Sequence, residues 1–129
     1  MWADIELTVM LWLRSQLPGV RVTDELPDKV ETRLPLIWVR VVGGGDDRIS
    51  DTATVDVQAF AADRAAMWQL AERARAAMLA AGAQWVPGAR VVIDTVDTIE
   101  RPNEVPYGNP ALRRAVASYA LTSRAQASA

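Results

Sequence analysis

The chain has no cysteine and no histidine. Their absence removes disulfides, thiolate nucleophiles, the usual zinc ligands and the side chain best suited to proton transfer near neutral pH. Lysine is almost missing as well. Lys29 stands alone in an acidic polar stretch, which is the wrong setting for a desolvated amine nucleophile. No apolar run approaches the ~20 residues that span a bilayer. The apolar opening Met1 to Leu17 carries Asp4 and Glu6 where a secretory signal would be basic. The expectation is a soluble chain made in the cytoplasm, without a membrane partner. Large charge of either sign is lacking too: the net charge of −2 argues against a dedicated nucleic-acid binder, which would carry a basic excess.

What is present is apolar. Half of the 129 residues are hydrophobic, enough for one domain to build a core without staples. The chain reads as a single domain, 1–129, organised around a hairpin and the helix that follows it. Leu36 to Val42 is a β-branched run, Gly43-Gly44-Gly45-Asp46-Asp47 interrupts it, and Ala53 to Ala61 resumes an extended pattern. Asp63 is an N-cap and Gly82 a C-terminal stop, with Met67, Leu70, Ala71, Ala74, Met78 and Ala81 at helical spacing between them.

Ahead of the hairpin, Asp4 caps a first helix whose stripe is Ile5, Val9, Trp12 and Leu13, ended by Leu17-Pro18-Gly19. Val20 to Val22 is a short strand, and Asp24 to Arg33 a polar crossing. After the second helix, Gln84 to Ala89 reads as a loop and Arg90 to Ile99 as a strand whose alternation slips at Asp94 to Val96, as at a bulge. Arg101 to Pro110 is too rich in proline for a central strand and reads as a long loop. Arg114 to Thr122 is a last strand, and Ser123 to Ala129 a mobile tail. The pattern predicts an α+β fold, an antiparallel sheet of four to five strands with two helices on one face.

Chemistry is hard to find in this pattern. The glycine triplet lies inside a hairpin with no Gly-Lys-Ser/Thr after it, so a phosphate loop is not expected. Asp46, Asp47 and Asp51 lack the ligand spacing of a calcium loop. Asp94, Asp97 and Glu100 invite a metal-dependent or ligand-binding enzyme reading, but strand alternation separates positions 94 and 97 unless a bulge intervenes. No catalytic, cofactor or metal residue is expected. Interface signals are stronger. Trp38, Arg40 and Phe60 fall on the sheet face away from the helices, and Trp68, Arg75 and Leu79 lie off the second helix's core stripe. Thirteen of the fourteen basic residues are arginine, and arginine with tryptophan is favoured at interfaces. Arg113 and Arg114 precede the last strand, and the loop Gly43 to Ser50 carries Arg48 as an anchor. Burial of Trp38 and Phe60 under a loop is the competing reading.

The order of these segments resembles a known family. Val39-Arg40-Val41-Val42-Gly43-Gly44, an acidic tip, Asp51 to Ala61, a helix with Ala66, Leu70, Ala71 and Leu79, then Arg101-Pro102, Pro106-Tyr107, Arg113-Arg114 and Tyr119 to Thr122 are similar to tail terminator (tail completion) proteins of long-tailed phages, especially those of actinobacterial hosts. The resemblance covers most of the chain from Pro35 onward. It implies a structural virion protein, assembled in the host cytoplasm as a hexameric ring on the head-proximal end of the tail tube. Its partners would then be other copies of itself, the major tail tube protein and the head–tail connector, with DNA passing through the lumen unbound and no cofactor. A head-closure or neck connector protein is the alternative within the virion.

Overall fold

A computed structural model describes residues 5–46, 51–86, 88–89 and 91–125. Asp4, Asp47, Arg48 and 126–129 lie outside the described residues. The elements run α1 Ile5–Gln16, β1 Arg21–Thr23, β2 Leu36–Asp46, β3 Asp51–Ala61, α2 Arg64–Ala80, β4 Gln84–Val86, β5 Val91–Glu104 and β6 Arg113–Ala125. They form one six-stranded sheet in the order β1-β2-β3-β6-β5-β4, with both helices on one face.

The α+β class stands, with more strands than expected and one parallel pair. β1 runs parallel to β2, Arg21 opposite Leu36 and Thr23 opposite Trp38. A parallel neighbour needs a crossover of about a dozen residues, and the segment 24–35 supplies it. β4, expected as loop, pairs with the start of β5.

The helix face follows the predicted periodicities. Ile37, Val39, Val55, Val57 and Ala59 are buried against Met67, Leu70, Ala71, Ala74 and Met78 of α2 and Val9 and Leu13 of α1. Asp63 Oδ1 accepts from Ala66 N–H at 2.8 Å, which satisfies one of the orphan amides of the first turn. The helices are tied together where Trp12 Nε1 donates to Ala77 O at 2.7 Å. Arg14 donates through Nη2 to Val22 O at 2.8 Å, fixing α1 to β1.

Four boundaries move. The glycine triplet is strand, since Gly43, Gly44 and Gly45 pair with Thr54, Ala53 and Thr52. A glycine backbone can join a ladder; the irregularity falls one residue earlier, at Val42, where the register shifts. The residue in the left-handed region after α2 is Ala83, at φ 62°, rather than Gly82. Its N–H donates to Asp94 O at 3.1 Å, so the turn is set by β5 and not by glycine freedom. β5 continues through Arg101-Pro102-Asn103-Glu104. Pro102 is tolerated there because it sits in a register irregularity between Glu100 and Asn103, on a strand whose outer side is open at that point. Finally, β6 runs to Ala125 with Ser123 fully buried, three residues into the expected tail. The slip expected near Asp94 is present as a shift between Ile93 and Thr95.

Candidate assembly surfaces

The sheet face away from the helices has two halves. Its lower half is covered: Leu36 and Phe60 are fully buried with Val30 and Leu112, under Leu26, Leu34 and Tyr107. The crossover and the loop after β5 form this lid. Phe60 meets Tyr107 edge to face, with ring centroids 5.2 Å apart. The expectation that Phe60 offers itself to a partner is therefore wrong, and the reason is a lid whose apolar residues are scattered through an acidic segment. Trp38 is half-buried at the rim of this cluster. Its Nε1 donates to Asp24 O at 3.1 Å, and Arg40 lies over its ring at 4.9 Å.

Among the described residues, nothing covers the upper half. Directly paired residues share a face, so three rows can be read across it: Arg40–Asp56–Ser118–Glu100, Gly43–Thr54–Ala120–Asp97 and Thr52–Thr122–Thr95. None of these is buried, and Ser118 Oγ donates to Asp56 Oδ1 at 2.7 Å. The rows are small, hydroxylated and acidic, with Arg40 their one cation. Bulging does bring Asp97 and Glu100 to one face, but among the described residues no three acidic side chains converge as metal ligands would.

Arg113 and Arg114 do not lie at a sheet edge, because β6 is held between β3 and β5. Arg113 is exposed and pairs with Glu104 at 3.0 Å, and Glu104 also faces Arg64 at 3.7 Å. Arg114 points the other way and does structural work. Its Nη2 donates to Pro106 O at 3.0 Å, its Nε to Val105 O at 3.4 Å and its Nη1 to Gln58 Oε1 at 3.3 Å, with the guanidinium 5.1 Å from the Tyr107 ring. It clamps the proline loop onto the sheet, beside an open hollow of about 640 Å³ lined by Glu104, Tyr107, Asn109, Leu112 and both arginines. Sequence reasoning missed Tyr107; its place five residues from Pro102 and next to Pro106 read as loop and gave no sign of burial.

On α2, Leu79 is exposed, Trp68 is half-buried against the main core, and Arg75 is half-buried beside Tyr119. Arg75 Nε is buried without a hydrogen-bond partner among the described residues. Tyr119 is fully buried on the helix face of β6. Burial pushes its phenol from 10.0 up to about 12, with Glu72 adding to the rise and Arg75 opposing it. The native phenol thus keeps its proton through a window in which the unfolded one has lost it. The native state binds more protons there, so stability is unaffected below pH ~10 and declines as pH rises toward ~12. With one lysine and no cysteine few other groups titrate in that range. Urea midpoints taken from pH 9 to 11.5 should fall in the wild type and fall less in Tyr119→Phe; identical slopes would show that Tyr119 does not drive the loss.

Comparison with known proteins agrees with this architecture. The model of a family described as phage tail termination protein matches residues 1–128. A chain in the virion of a native gene transfer agent particle has a similar fold, with a TM-score of 0.54, 15% identity and 95% of each chain covered. No curated protein matches. With its model matched over residues 1–128, this chain belongs to the family of phage tail termination proteins, structural proteins of the phage tail.

Proposed function

We propose that the protein closes the head-proximal end of the tail tube as a ring, a hexamer by its family resemblance, which stops tube growth and presents a surface to the head–tail connector. The observation that carries the reading is the family match along nearly the whole chain. The fold shared with a chain of a virion particle supports a place in the virion. Tube subunits add by one heterologous contact, which repeats indefinitely unless a different surface occupies the growing end. Such a cap needs two unlike faces and no catalytic group.

The uncovered half of the sheet suits the wall of the lumen. A basic wall would hold DNA phosphates through counterion release, whereas a surface of Thr52, Thr54, Thr95, Thr122, Asp56, Asp97 and Glu100 lets the duplex pass. Arg40, Trp68, Arg75, Leu79 and Arg113 remain available for contacts with neighbours, and Gly43 to Gly45 lie along an open strand edge. Loss of the protein should leave heads and tails separately assembled, with some tubes overlong, in electron micrographs of a knockout lysate. Normal-length tails attached to filled heads would overturn the reading. Normal-length tails beside unattached heads would point instead to a connector.

A further inference from the structure

The sheet is open at both sides, and the two openings match. β1 covers β2 only at Leu36 to Trp38, which leaves the outer edge of 39–46 without a strand partner among the described residues. β4 covers β5 at Val91 to Ile93 and Ala83 N–H donates to Asp94 O just beyond it, which leaves 95–104 in the same condition. Long unpaired edges are normally kept short, charged or covered, because they recruit other strands. Here each edge instead carries an exposed apolar residue at a bulge. Val42 sits at the register shift of β2 and Ile99 at one of the three of β5, and at 48% and 57% they are the two most exposed large hydrophobic side chains described.

Resting on the ring reading above, we propose that the upper edge of β2 pairs antiparallel with the lower edge of β5 in the next copy, so that the ring is closed by a continuous intersubunit sheet. Three observations select a second copy as the occupant. β2 and β5 run in opposite directions within one subunit, so two copies standing side by side in the same orientation present antiparallel edges to each other. β1 and β4 overhang at diagonally opposite ends, and the neighbour's β5 must stop at Glu104 to clear β1. That sets Glu104 near Val39, and it simultaneously lifts the neighbour's β4 clear of the top of β2. The charges also fit, since the open stretch of β5 carries Asp97 and Glu100, both exposed, and the exposed cation described on the β2 edge is Arg40.

The contact is heterologous, so it repeats in one direction and closes only by rotation. Glu104 is level with Ile37 in its own sheet, so the offset is about two residues, roughly 7 Å at the rise of a strand, and it inclines the strands to the ring axis, as closure of any barrel requires. In the single subunit one outward amide of this edge, Val41 N–H, is held by Glu6 Oε2 at 3.2 Å. The carboxylate occupies the edge until a neighbour's strand arrives.

The natural absence of cysteine makes the test direct. Tails carrying Val42→Cys with Ile99→Cys, treated with a short bis-maleimide, should yield a ladder of covalent oligomers of this chain, and neither single variant should crosslink to itself. The pair Arg40→Cys with Asn103→Cys reads the same register if the first pair fails to assemble. Dimers from a single variant would mean isologous edge pairing and overturn the proposal. No ladder from either pair, in tails that hold a ring of copies by image averaging, would overturn the edge contact and leave the ring standing. One or two copies per tail would overturn both.

Discussion

Phe60→Ala should destabilise the isolated domain by about 3–5 kcal/mol, the usual cost of emptying a fully buried aromatic site. Phe60 has no exposed surface and packs with Leu36, Val30, Leu112 and the ring of Tyr107. Truncation opens a cavity under the lid that the strands cannot collapse to fill. Against a total stability of ordinarily 5–15 kcal/mol, the variant sits near the threshold of folding at 37 °C. Urea unfolding should show a lower midpoint with an unchanged slope. A variant with wild-type stability that fails to enter tails would instead make Phe60 a partner contact.

The second large effect separates two adjacent arginines. Arg114→Ala removes three hydrogen bonds from a charged donor and a cation–aromatic contact, all directed at the proline loop or Gln58. Hydrogen bonds to charged groups contribute about 1.5–3 kcal/mol each, but they share one side chain here and are not additive; a loss of about 2–3 kcal/mol is expected. Amide exchange across Val105 to Leu112 should rise with it. Arg113→Ala gives up a solvent-exposed ion pair with Glu104 and should cost at most about 1 kcal/mol. If Arg113 meets a neighbour in the tail, its variant folds normally and caps poorly. Equal losses of stability in the two variants would contradict the clamp.

The contrast explains what could and could not be read from the chain. Alternation in Leu36 to Val42 and Ala53 to Ala61, and the helical spacing of Met67 to Ala81, report burial on one side of regular elements, and every predicted core position of α2 is buried. The broken alternation near Asp94 was legible for the same reason. Leu26, Val30 and Leu34 were not, because an irregular crossover has no period, and its four acidic residues mask the apolar ones that close over Phe60. The glycine triplet and Pro102 mislead in the same sense. Composition marks both as loop, while the ladder accepts glycine and an open-edged irregular strand accepts proline. For the assembly surfaces, residue type alone proposed Arg113 and Arg114 together, and only the direction of each side chain separates them.

The last described strand is one of the two central strands of the sheet. β6 inserts between β3 and β5, whose paired residues precede it by some sixty and twenty positions, so neither pairing can start before Arg113 is made. Until then β3 and β5 each expose an inner edge that the native fold never shows. Non-local pairing of this kind is slow and leaves unpaired strands open to wrong partners. A chain missing β6 would offer four open edges where the finished chain offers two.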